Sequence, residues 1–140
     1  MAVAALVDTD VLIDYLRGVP QAVEVVLSID TLAVSVVTVA ELYAGLKSGK
    51  SGAKEKADIA KLLAQCEVLP VDAAIARDAG LLKKQFFASH AVELPDALIA
   101  ATALLHQLPL LTLNVKHYPM LRTLVPAYRK AGKGSSAAAL

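Results

Sequence analysis

Residues 93–114 read ELPDALIAATALLHQLPLLTLN. From Ala97 to Val115 the chain carries no Asp, Glu, Lys or Arg, a run long enough to suggest a membrane span. His106, Gln107, Pro109 and Asn114 interrupt it, however, and proline cannot continue a helix because it lacks an N–H and its ring clashes with the preceding turn. The run therefore divides at Pro109 into a helix from Pro95 and Asp96 through Leu108 and a strand over Leu110–Leu113. A helix that is apolar nearly all round is normally buried on several sides. A short, mostly apolar strand beside such a helix is the repeating unit of a parallel sheet covered on both faces. No transmembrane segment is expected.

The same alternation extends outward in both directions. Ala2 to Val7 is an apolar strand ending at Asp8. Asp10 then caps a helix with Leu12, Ile13 and Leu16 inward. Gly18 ends that helix and Pro20 opens a second, with Val23, Val26 and Leu27 on one side. Leu32 to Val36 is a second strand. Thr38 begins a helix whose apolar stripe is Val39, Leu42, Tyr43 and Leu46. KSGKSG, residues 47–52, reads as a flexible basic turn, followed by a helix bearing Ile59, Leu62, Leu63 and Cys66. Val68 and Leu69 mark a third strand, and Asp72 caps a helix with Ile75, Ala79, Leu82 and Phe86 on its inner face. Beyond Asn114 a short helical turn over Val115–Leu121 and an edge strand around Leu124 complete the pattern. The fold class is α/β, with a mostly parallel sheet of about five strands and helices on both faces. One domain over 1–130 is expected. The low-complexity tail AGKGSSAAAL (131–140) is expected to lie outside it and reads in part as added sequence.

Composition narrows the function classes. A chain of 140 residues, 56% hydrophobic and 19% charged, is neither disordered nor too short for a core. Fourteen Lys and Arg against thirteen Asp and Glu argue against a bulk basic nucleic-acid binder, while leaving room for local patches. Trp is absent and there are two Phe, so the core is aliphatic. Cys66 is the sole cysteine, which excludes an intrachain disulfide and a cysteine zinc cage. A reducing compartment such as the cytoplasm follows, and Cys66 reads as a small buried apolar residue. Asp8 arrives too early, with no basic region before it, for a signal peptide.

In parallel α/β sheets ligands bind beyond the carboxyl ends of the strands, at the switch in strand order. The positions after each strand hold Asp8, Glu41 on the first turn of the third helix, Asp96 at the start of the helix before strand four, and Asn114 after strand four. Three carboxylates brought together repel unless a cation neutralises them, and an all-oxygen set selects Mg²⁺ or Mn²⁺ over zinc. Such an ion clamps phosphate oxygens and lowers the pKa of an attacking water. Each acid also has a plain structural reading. Asp8 suits a strand-end turn, Asp10 a helix cap, and Asp14 a solvated or supporting position. Thr38-x-x-Glu41 has the spacing of a capping box, and Asp96 suits a helix dipole. The four together, each after a strand, favour a site.

LVDTDVLIDYL, SVVTVAELYAGL and ELPDALIAATALLHQLPLLTLNVKHY, in that order, resemble the PIN-domain ribonucleases, and specifically the VapC-type toxins of prokaryotic toxin–antitoxin pairs. The likeness covers roughly Ala2 to Arg122. It implies a three-layer α/β/α sandwich and cleavage of single-stranded stretches of RNA with Mg²⁺ or Mn²⁺. Asp8, Glu41 and Asp96 match the family's acidic metal-site residues, Thr9 the hydroxyl beside the first acid, and Thr112 the hydroxyl after strand four. Many relatives place a fourth acid where this chain has Asn114, which can ligate but adds no charge. The resemblance also implies a VapB-type antitoxin that wraps the toxin and blocks the acidic site, and a homodimer. RNA needs cations along its backbone. Lys116 and His117, just after Asn114, are candidates, as are Lys47, Lys50, Lys54 and Lys56 and the C-terminal Arg122, Arg129, Lys130 and Lys133. Tyr118 is a base-stacking candidate, Tyr43 suits the core, and His90 and His106 suit helix ends. Three other readings stay open: a phosphatase of the haloacid dehalogenase type with Asp8 as nucleophile and Asp10 as acid/base, a receiver domain with Asp72 as phosphoacceptor, and a catalytically silent PIN-like binding module.

Overall fold

The protein is described by a computed structural model covering residues 2–129. The tail expected at 131–140, together with Lys130 and Lys133, lies outside the described residues. The chain runs β1 (Ala4–Val7), α1 (Thr9–Leu16), α2 (Pro20–Leu27), β2 (Thr31–Ser35), α3 (Val36–Ala44), α4 (Gly49–Leu63), β3 (Glu67–Leu69), α5 (Ala73–His90), α6 (Leu94–His106) and β4 (Leu110–Leu111), then a 3₁₀ turn over Val115–His117. The four strands form one parallel sheet in the order β3-β2-β1-β4. The chain thus steps outward from β1 to β2 and β3, then returns to the other side of β1. The switch in order falls between β1 and β4.

The sheet is clad on both faces because its strands are apolar on both. Adjacent residues of a strand point to opposite sides, and Leu6 and Val7 of β1 separate accordingly. Val7 joins Val11, Leu12, Val34, Leu42, Ile59 and Leu62 in a cluster built with α1, α3 and α4. Leu6 joins Ile99, Ala100, Ala103, Leu110 and Tyr118 in a cluster built with α6. Ile75 and Ala79 of α5 pack with Ala97 and Ala101 of α6. The α/β class, the parallel sheet and the covering of both faces are as the sequence predicts.

Several local expectations are corrected. The fifth strand around Leu124 does not form among the described residues; 119–129 is a series of turns. Pro119 and Pro126 have no N–H for a ladder, and one bond, Ala127 N–H to the Thr112 carbonyl (2.9 Å), is made beyond β4. Leu124 instead packs on the Leu6 cluster. Helix α1 is capped by Asp8, not Asp10. Helix α3 is capped by Ser35, whose Oγ accepts from the Val37 N–H at 3.0 Å. Thr38 is therefore inside the helix and the capping box with Glu41 is not made. α4 already begins at Gly49, inside the stretch read as a turn. α6 stops at His106, with Gln107 in the left-handed conformation (φ 53°). Its last turn is not buried, for Leu104 and Leu105 are about half exposed. Among the described residues no helix is long and apolar enough to cross a membrane.

Cys66 follows α4 and is half-buried. Its thiol donates to the Leu62 carbonyl at 3.4 Å, and burial pushes its pKa up, the opposite of what an activated thiol requires. Asp14 is not solvated: it is buried and accepts from the Tyr128 hydroxyl at 2.8 Å.

Candidate active site

Asp8 leaves β1 at the switch in strand order and is 6% exposed. As the cap of α1 it accepts the Thr9 N–H on Oδ1 at 2.8 Å. Its Oδ2 receives two hydroxyls, Thr112 at 2.8 Å and Tyr118 at 2.8 Å. Thr112 is fully buried just after β4, and its Oγ1 in turn accepts the Asn114 N–H at 3.1 Å. Asp10, in the first turn of α1, accepts the Val11 N–H on Oδ1 and the Leu113 N–H on Oδ2, at 2.8 and 2.9 Å. It thereby latches the exit of β4 to the entry of α1.

Asp96 sits in the first turn of α6. Its Oδ1 lies 3.3 Å from the Tyr118 hydroxyl and its Oδ2 3.5 Å from His117 Nδ1. One phenol oxygen thus touches both aspartates, which can be no further apart than two such contacts. Glu41, on α3, accepts from the Thr9 hydroxyl at 2.6 Å. The Thr9 and Thr38 hydroxyl oxygens are 3.1 Å apart, with Thr38 fully buried. Glu41 is near enough to Asp96 to raise its pKa. Asn114 is exposed and joins the group through its backbone N–H. Lys116 and His117 are exposed and line, with His90, Val92, Glu93 and Asp96, a cleft of about 460 Å³ beside the acids.

Asp8, Glu41, Asp96, Thr9 and Thr112 therefore converge, with Asn114, Lys116 and His117 around the rim. Tyr118, a base-stacking candidate by sequence, cannot stack on a base, because that requires an exposed ring and this one is 1% exposed; its place is against the acids instead. The signal present was its position four residues after Asn114, one short turn away. Asp10, a helix cap by its sequence position, yields that place to Asp8 and joins β4 to α1 instead.

The carboxyl groups of the cluster all hold their protons more tightly than free ones. Burial raises the pKa of Asp8, against the hydrogen bonds from Thr112, Tyr118 and Thr9, and Asp96 raises it further. Burial and the charge of Asp8 raise Asp10. Burial raises Asp96 as well; His117 and Tyr118 oppose this, while Glu41 and Glu93 add to it. Among the described residues no group of three or more His, Cys, Asp or Glu side chains is placed to hold a metal ion by itself. The set is open and made of oxygen donors, which fits a hard divalent ion such as Mg²⁺ that keeps several waters and takes one or two carboxylates together with substrate phosphate. It does not fit a structural zinc site, which needs four closed nitrogen or sulfur ligands.

The PIN domain family matches residues 5–118, and the chain belongs to that family. It is 42% identical over 131 residues to Ribonuclease VapC10 of Mycobacterium tuberculosis, covering 91% of this chain and 95% of that one. It is 37% identical over 128 residues to Ribonuclease VapC19 of the same organism, covering 88% and 98%. Among solved structures, a toxin–antitoxin complex from Klebsiella pneumoniae superposes with a TM-score of 0.72 at 29% identity, covering 89% of this chain and 98% of that chain. Family membership removes the phosphatase and receiver-domain readings, which belong to other folds.

Proposed function

We propose that this chain is an endoribonuclease that hydrolyses RNA phosphodiester bonds as the toxin of a toxin–antitoxin pair, and that it does so with a divalent cation in the cytoplasm. The observation that carries the reading is the gathering of Asp8 and Asp96 about one hydroxyl at the carboxyl end of β1, with Glu41 tied in through Thr9. Mg²⁺ or Mn²⁺, when bound, supplies charge stabilisation at the phosphate oxygens and an acidified water. Asp8 and Asp96 hold the ion, with Glu41 and Asn114 as further oxygen donors, directly or through water. Thr112 and the Thr9 N–H fix the Asp8 carboxylate, and the Thr9 hydroxyl orients Glu41. Lys116 and His117, on the open side of Asp96, hold the RNA backbone. A VapB-type antitoxin silences the site, and the toxin acts as a homodimer.

The test is cleavage of structured RNAs in Mn²⁺ beside Asp8→Asn and Asp96→Asn. Both substitutions keep the side chain's size and shape while removing a charge and exchanging one acceptor oxygen for an NH2 donor. Loss of at least about a hundredfold in rate is expected, on the scale of removing a group that stabilises transition-state charge, with circular dichroism unchanged. Full activity in EDTA would overturn the metal mechanism. RNA binding without cleavage by the wild-type chain would favour the silent binding module.

A further inference from the structure

Tyr118 is not explained by packing alone. Its ring belongs to the apolar cluster of Leu6, Ile99 and Leu110, which Phe would fill equally well. Its hydroxyl, however, is delivered 2.8 Å from Asp8 Oδ2 and 3.3 Å from Asp96 Oδ1, in a place sealed from solvent. A phenol has one proton to give, and the shorter distance directs it to Asp8. With Thr112 donating to the same oxygen and the Thr9 N–H to the other, Asp8 is held by three donors, one at the start of α1 and two on the stretch after β4. The Tyr118 oxygen at the same time sets how near Asp96 stands to Asp8.

We propose that Tyr118 is a positioning residue for the divalent cation: its buried hydroxyl orients the Asp8 carboxylate and fixes the Asp8–Asp96 spacing before the ion arrives. This rests on the metal site proposed above. The 3₁₀ turn over Val115–His117 supplies the rigidity: the Tyr118 N–H bonds back to the Val115 carbonyl at 3.0 Å, and the His117 N–H to that of Asn114 at 2.9 Å. One short turn thus carries Asn114, Lys116 and His117 on the rim and Tyr118 beneath the acids. Hydrogen bonds behind metal-ligating groups are worth roughly 10- to 100-fold in metal affinity.

The measurement is the Mn²⁺ dissociation constant, by calorimetry without RNA, for the wild-type protein, Tyr118→Phe and Asp8→Asn. Wild type is expected to bind, Asp8→Asn to lose binding, and Tyr118→Phe to bind about tenfold more weakly with its circular dichroism retained. A residue that only packs would shift the melting temperature and leave the constant alone. An unchanged or tighter constant in Tyr118→Phe overturns the proposal. Absence of Asp8-dependent Mn²⁺ binding in the wild-type protein overturns the metal site itself, and this inference with it. If Tyr118→Phe does not fold, the wild-type protein carries the test: Mg²⁺ is expected to perturb the near-ultraviolet absorbance of a buried phenol, an effect missing in Asp8→Asn. A flat Mg²⁺ titration in a wild-type protein that binds Mn²⁺ overturns the proposal.

Discussion

Asp8, Asp10 and Asp96 each hold a proton more tightly than an ordinary carboxyl, because burial penalises the ionised form more than the hydroxyl and amide donors around them favour it. A raised folded-state pKa means that the folded chain binds more protons than the unfolded one. Their contribution to stability is therefore fully present below the ordinary value of 3.8 and is lost as pH rises through the folded-state values. In EDTA this contribution to the melting temperature should be lost progressively as pH rises above about 4. A divalent cation acts in the other direction, since it binds the ionised carboxylates. Mg²⁺ should raise the melting temperature near pH 7 and leave it almost unchanged near pH 4. An equal rise at both ends would show binding elsewhere than at these acids. Asp8 was legible in the sequence because it ends a strand, and Asp96 because it opens the helix that leads into the last one; the carboxyl ends of parallel strands are where such sites form. Tyr118 was not, because nothing in its neighbours says that the turn after β4 folds the ring under the sheet instead of outward.

Among elements, the junction of α3 and α4 shows how little a local reading can foresee. KSGKSG has the composition of a loop, but its second half is the first turn of α4. Gly49 takes the positive φ of 74° that the turn needs. Gly52 is required for another reason: a Cβ there would run into the Lys47 carbonyl oxygen, which is backbone and cannot swing aside. Gly52→Ala should cost roughly 1–3 kcal/mol, the range for overpacking a tight site, read as a lower denaturation midpoint with an unchanged slope. A midpoint within error of the wild type would mean that the loop has room to retreat. The pattern of apolar spacing and apolar runs, punctuated by prolines and glycines, located all six helices and four strands among the described residues, since it records which faces are covered. It failed where capping decides: Ser35 starts α3 earlier than Thr38 would because its hydroxyl reaches the Val37 N–H. It failed again at the expected fifth strand, where leucines suggested a ladder but prolines withhold the donors.

Over the whole molecule, a formal charge of +1 hides a division that the fold exploits. Up to Leu46 there are six acids and one base, and from Ala97 onward five bases and no acid. Folding sets Asp8 and Glu41 from the acidic part against Asp96 and the turn that carries Lys116. A cluster of acids thus lies beside the turn that carries Lys116, and near-neutrality is no sign of indifference to polyanions. Each phosphate neutralised by a lysine releases condensed counterions, so the logarithm of the RNA association constant falls with the logarithm of salt concentration by about 0.7 per contact for single strands. Binding should be measured with Asp8→Asn, so that the RNA survives. Adding Lys116→Ala to that background should weaken binding and make the salt slope shallower by about 0.7. If Lys116 only decorates the surface, affinity and slope will both stay as they were, and the RNA must enter from the α3–α4 side, where Lys47, Lys50, Lys54 and Lys56 stand.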